Sequence, residues 1–206
     1  MLLNLDNLKQ KYKLNIKGVL HIGAHVGQEY VAYERLGIIN VMFFEPVPST
    51  FNKLKENVGN RAILVNTALG NMIGEIEMFI ETVNSGQSNS ILKPEHHLTQ
   101  YPQIQFAEKQ KVPITKLDTF IEVREKFNFI NIDVQGYELE VFKGGSDFLN
   151  TIDYVMAEVN RAELYSGCAK VEELDTFLGT YGFERVETTW AGGTWGDAFY
   201  IKRQNL

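Results

Sequence analysis

Hydrophobic and polar positions alternate between short apolar runs and amphipathic stretches along most of the chain. Val19, Leu20 and Ile22 form the first apolar run, followed by the turn Gly23-Ala24-His25-Val26-Gly27. Tyr30, Val31 and Tyr33 then open a helical face over 28–37, stopped at Gly37 as a C-cap glycine. A second strand, Val41 to Phe44, runs into Glu45-Pro46-Val47-Pro48, with Ser49 as the predicted N-cap of a helix over 50–58. Arg61 to Asn66 predicts a third strand. Strands separated by helices or extended crossovers signal a parallel sheet.

The rhythm breaks after residue 70. Glu75 to Glu81 alternates and predicts a half-buried strand, antiparallel to its predecessor across Gly70–Gly74. Residues 82–110 show no period and are expected to be a substrate-side lid, since long structureless loops in a domain are usually functional. The βαβ pattern returns with a helix over 117–126, a strand over 129–133, a helix over 137–149 and a strand over 154–159. A helix over 170–181 is capped by Gly182, and strands over 183–188 and 198–202 pair antiparallel across the stretch from Trp190 to Gly196. Residues 1–16, with Leu2, Leu5 and Leu8, predict an amphipathic helix acting as a lid or edge element. The expectation is one α/β doubly wound, Rossmann-like domain over 17–206, mostly parallel with an antiparallel C-terminal strand pair.

The 206 residues suffice for one substantial core, and 44% apolar with 22% charged residues is a globular composition. A net charge of −6 without a basic tract argues against nucleic acid as partner. Cys168 is the single cysteine, which removes disulfide frameworks and cysteine zinc sites. No metal is expected. No apolar run approaches the roughly 18 residues of a membrane span, and the polar-interleaved start does not read as a signal peptide. A cytoplasmic setting follows as the expectation, with oligomeric state open.

In such sheets ligands bind at the carboxyl ends of the strands. Glu45, Asn66, Asp133, Glu158 and Asn160 all fall there. Any one of them alone is equally a helix cap or turn former. Glu45, about 20 residues past the glycine turn, suits ribose hydroxyls. The turn lacks the middle glycine of a dinucleotide fingerprint and carries His25 where a pyrophosphate needs close backbone approach, which favours a nucleoside without phosphates.

Three stretches taken together resemble the FkbM family of S-adenosylmethionine-dependent methyltransferases. They are Val19-Leu20-His21-Ile22-Gly23-Ala24-His25-Val26-Gly27-Gln28, Phe43-Phe44-Glu45-Pro46-Val47-Pro48, and Leu117-Asp118-Thr119-Phe120 with the run from Phe129 to Gly145. Glu158-Val159-Asn160 and Gly196-Asp197-Ala198 extend the likeness. The chain departs from the family at His21 (usually Asp), His25 (Asn), Asn131 (Lys) and Gln135 (Glu); the last two together are consistent with a lost ion pair. The resemblance implies S-adenosyl-L-methionine as cofactor and O-methylation of a hydroxyl on a sugar or other small acceptor. It places the cofactor's amino-acid and ribose side at Gly23, Ala24 and Gly27, with His21 and His25 in the same motif. Glu45 and Pro46 would meet the ribose, and Asn66, Ala68 and Leu69 the adenine. Asp133 would lie near the sulfonium and the acceptor.

An alcohol acceptor calls for a base. Asp133, Glu158, His97 and His96 are the candidates, an imidazole being better matched to neutral pH than a carboxylate with a pKa near 3.9. Ser88, Asn89, Ser90, His96 and Asn160 are candidate polyol contacts, and Trp190 and Trp195 candidate sugar platforms ahead of Tyr137 and Tyr165. Arg161 is a candidate for an anionic acceptor. Two rival readings are a non-catalytic nucleoside-binding module and an NAD-linked oxidoreductase; the latter is disfavoured by His25 and by the lack of a Tyr-x-x-x-Lys pattern.

Overall fold

The computed structural model describes residues 1–205. Among these residues, ten strands form two sheets. The first five strands of the main sheet are β1 (Gly18–Ile22), β2 (Asn40–Phe44), β3 (Ile63–Val65), β7 (Phe129–Ile132) and β8 (Tyr154–Asn160). With β9 (Phe183–Ala191) and β10 (Trp195–Lys202) they run in the order β3-β2-β1-β7-β8-β10-β9. The first five are mutually parallel, and β10 lies antiparallel between β8 and β9. The chain steps outward from β1 to β3 and later returns to place β7 on the other side of β1. This reversal opens a crevice between the carboxyl ends of β1 and β7, the position where open α/β sheets bind ligands.

Side-chain alternation along each strand builds two core layers. Leu20, Ile22, Met42, Phe44, Ile130 and Ile132 face one layer. Val19, Val41, Phe43 and Phe129 face the other, against α1 (Leu5–Tyr12), α2 (Tyr30–Arg35) and α3 (Pro48–Val58). Helix α1 buries Leu5 and Leu8 on the sheet. Gly37, at φ +72°, ends the turn after α2 as expected.

Several elements differ from the sequence expectation. Helix α3 starts at Pro48, so Ser49 is inside it; proline's fixed φ suits the first helical position and needs no side-chain cap. The 117–126 segment is 3₁₀, kinked at Phe120, and the Asp118 carboxylate accepts from the Asp147 and Phe148 N–H groups. The 137–149 helix divides into α5 (Glu138–Lys143) and α6 (Ser146–Leu149). The break falls at Gly144, where a Cβ would stand 1.9 Å from the Gly70 carbonyl oxygen. Helix α7 (Val171–Gly179) and the C-terminal strands appear as predicted, the strands extended to leave a short Gly192–Thr194 turn.

The largest departure is a second, three-stranded sheet of β4 (Ala68–Leu69), β5 (Gly74–Ile80) and β6 (Glu108–Thr115) in the order β4-β6-β5. Strand β5 is antiparallel to the unforeseen β6 and not paired with its predecessor. The intervening segment carries a short helix α4 (His96–Gln100) and bridges at Phe79–Ser90 and Pro94–Tyr165. It is a pinned wall and no structureless lid.

Candidate active site

A cleft of about 590 Å³ opens at the carboxyl ends of β1, β2, β7 and β8 and is walled on its far side by the 82–104 segment. The glycine turn forms its floor. The N–H groups of Gly23 and Ala24 both donate to the Phe44 carbonyl at 3.0 Å, that of His25 to Glu45 Oε2 at 3.0 Å, and that of Gly27 to the Ala24 carbonyl at 2.9 Å. Those four N–H groups are therefore not available to a phosphate. Gly23, at φ +81°, packs so closely on β7 that a Cβ would lie 1.9 Å from the Asp133 carbonyl oxygen. Gly27 meets Leu54 and Val58 of α3 and does not line the cleft.

Glu45 is buried and faces the cleft with both oxygens anchored, Oε2 by His25 N–H and Oε1 by Val47 N–H at 2.9 Å. Burial pushes its carboxyl up to about 7 despite those two donors. Asn66 donates to the carbonyls of Glu45 and Pro46 at 2.8 and 3.0 Å. It braces the Glu45 loop and does not line the cleft. Pro46, Ala68 and Leu69 do line it, with Phe44 and Met78 completing an apolar slot.

On the β7–β8 side, Gln135 Nε2 donates to Asp133 Oδ1 at 2.7 Å and to Glu158 Oε2 at 3.0 Å. Its own Oε1 accepts from Tyr165 Oη at 2.7 Å. A left-handed φ of +54° at Gln135 turns the amide between the two acids. Burial, with Asp133 adding its charge, raises the Glu158 carboxyl well above the usual range. Buried Glu138 holds the loop by accepting from Val134 and Gly136 N–H at 3.0 and 3.2 Å.

Asn131 does not partner Gln135. Its register neighbour on β1 is His21, and the two are joined through Tyr33, whose hydroxyl lies 2.7 Å from Asn131 Nδ2 and 2.9 Å from His21 Nδ1. A neutral chain thus replaces the charges expected there. Burial keeps the His21 imidazole below its ordinary pKa.

The acceptor-side residues divide. Ser88, Asn89, His97 and Trp195 line the cleft, as do Tyr101, Gln87 and Gln103, which sequence reasoning missed. Ser90 is buried with its hydroxyl on the Gln135 carbonyl at 2.7 Å, so it is a brace. His96 is exposed outside the cleft. Trp190 lies under the Arg161 guanidinium at 3.7 Å, and neither reaches the cleft. Asn160 is fully buried without a side-chain partner and is likewise outside. His97 packs among Tyr101, Phe106 and Tyr165, and burial lowers its pKa. The missed residues follow no period and sit on a segment whose shape depends on distant partners.

The family described as the methyltransferase FkbM domain matches residues 21–185. The 2-O-methyltransferase NoeI of Sinorhizobium fredii is 29% identical over 160 residues, covering 72% of this chain. The hexuronic acid methyltransferase AglP of Haloferax volcanii is 28% identical over 127 residues, covering 59%. The aligned parts span 65% and 47% of the lengths of these two relatives. Streptococcus pneumoniae Sp1610, solved in complex with S-adenosyl-L-methionine, superposes with a TM-score of 0.53 at 13% identity, over 97% of this chain and 73% of that one. At that identity the likeness is one of fold. No described helix is long and apolar enough to cross a membrane.

Proposed function

This chain belongs to the FkbM methyltransferase domain family, and from that premise we propose that it is an S-adenosylmethionine-dependent O-methyltransferase acting on a sugar hydroxyl. The observation that carries the proposal is Glu45, a buried carboxylate held rigid at the end of β2 and turned into the cleft beside an apolar slot. The donor set fits the cofactor: a carboxylate for ribose hydroxyls, apolar walls for adenine, and a glycine turn whose Gly23, Ala24 and His25 N–H groups are already engaged within the protein. That last feature weighs against the oxidoreductase reading. The 2-O-methyltransferase and hexuronic acid methyltransferase relatives support a sugar as the acceptor class.

When bound, S-adenosylmethionine supplies a methyl group on a sulfonium, whose C–S bond breaks toward sulfur as the new C–O bond forms. The protein's part is to orient the hydroxyl, exclude water and accept its proton. Asp133 and Glu158 take that proton, the Gln135 amide holding their carboxyls in fixed relation. His97 shapes the acceptor wall.

Calorimetric titration with S-adenosylmethionine, S-adenosylhomocysteine and NAD tests the reading. Binding of the first two in the micromolar range without NAD is expected. Glu45→Ala should weaken S-adenosylmethionine about tenfold or more, as loss of a charge-assisted hydrogen bond does. Unchanged affinity in that variant, or no binding by the intact protein, would overturn the assignment.

A further inference from the structure

We propose that the acceptor is a sugar without an anionic group, and that this cleft discriminates against uronates and sugar phosphates. The inference rests on the methyl-transfer reading above and narrows its substrate. Its basis is the charge of the walls. Glu29, Asp133 and Glu158 place carboxyls around the space left beside the Glu45 slot. The opposite wall is polar but neutral: Asn84, Gln87, Ser88, Asn89 and Gln103. Among the described residues, no lysine or arginine lines the cleft, and the Met1 α-ammonium that does line it already lies in the field of Asp133, Asp197, Glu29 and Glu158. Arg161, the one arginine on the loop following β8, is stacked on Trp190 and does not line the cleft.

His97 supplies no cation either. Its Nδ1 is buried without a partner among aromatic rings, and burial disfavours the imidazolium. A carboxylate or phosphate entering here would shed water and meet Glu29 and Asp133, and the Met1 ammonium is already engaged by four carboxyls. Uncharged hydroxyls meet the opposite situation. Side-chain amides both donate and accept, and Trp195, whose indole N–H donates to Tyr101 Oη at 2.8 Å, offers apolar ring surface to a sugar face. Rejection built from repulsion is as effective a source of specificity as attraction.

The test uses the intact protein and methyl glycosides paired to differ only at carbon 6: glucoside against glucuronide, galactoside against galacturonide. S-adenosylhomocysteine release is followed for each, with cofactor binding measured separately by calorimetry. The neutral member of each accepted pair is expected to lead by about tenfold or more in kcat/KM. Gln103→Lys, which adds a cation to the neutral wall, should narrow that gap several-fold. A uronate used as well as its neutral partner would overturn the proposal. So would an unchanged gap in Gln103→Lys, or no turnover of any neutral glycoside by protein that binds the cofactor. Failure of S-adenosylmethionine to bind would instead remove the underlying methyl-transfer reading and this inference with it.

Discussion

The two walls of the cleft are built by different means. The nucleoside wall, from the glycine turn through Glu45 to Leu69, hangs on strand ends of a parallel sheet, and backbone hydrogen bonds within that sheet fix most of its shape. The acceptor wall, from Val83 to Ile104, is held by single side chains reaching across long sequence separations. Ser90 donates to the Gln135 carbonyl, Tyr165 donates to Gln135 Oε1 with the Ser88 carbonyl 3.2 Å from the same hydroxyl, and Glu81 gathers the N–H groups of Val83, Asn84 and Gly86. A wall made of ladder bonds tolerates little change, whereas one pinned by side chains can be reshaped by a few substitutions.

The largest expected effect lies at the seam between the walls. Asp133→Asn keeps an oxygen for the Gln135 amide but removes a proton acceptor, and turnover should fall by about 10²–10⁴-fold. S-adenosylmethionine affinity should change by no more than a few-fold. A variant retaining full turnover would move the base elsewhere, with Glu158 next in line. Initial rates of S-adenosylhomocysteine formation give the answer.

A second prediction probes the rigid wall alone. The Glu45 carboxyl rises from 4.5 to about 7 on folding through burial, so the folded state holds its proton more tightly than the unfolded chain. Its contribution to stability is complete below about pH 4.5 and is lost as pH climbs toward 7, a change of about 3 kcal/mol. Glu45→Gln cannot ionise. Denaturant unfolding between pH 5 and 8 should show the stability of the native protein falling relative to this variant as pH rises. Parallel curves would mean that Glu45 ionises as freely in the fold as outside it.

The same division explains what the sequence discloses. Strands such as Val19–Ile22 and Val41–Phe44 announce themselves by local apolar runs, and acids at their ends land where the topology requires. Glu45 and Asp133 were readable for that reason. Strand β6 was not, because its Glu-Lys-Gln-Lys start is exposed and its pairing with β5 spans a long separation. Ser90 and Asn66 look from the sequence like ligand contacts, yet both hydrogen-bond to backbone carbonyls. Polar side chains on irregular segments serve either role, and only the distant partner decides. His21 and Asn131 carry the same lesson: adjacent in β1–β7 register, they form one buried unit with Tyr33, a pairing invisible until the strands are aligned.

The pinned wall can be loosened without touching its partner. Glu81 is buried, its oxygens accepting from Val83 N–H at 2.8 Å, Asn84 N–H at 2.6 Å and Gly86 N–H, while its own backbone N–H donates to Asn89 Oδ1 at 2.8 Å. Glu81→Ala strands three backbone donors at once and unclips the loop that presents Asn84, Gln87 and Ser88. Loss of charge-assisted bonds of this kind costs about 1.5–3 kcal/mol each when buried, but water can reach this exposed loop, so the local cost should be at the low end. Acceptor KM should therefore rise about tenfold, with S-adenosylmethionine affinity within twofold of the native protein and cleavage by a nonspecific protease concentrated near residues 82–90. Equal loss of cofactor and acceptor binding would show that the two walls fold as one unit, and their separate construction would then carry no functional independence.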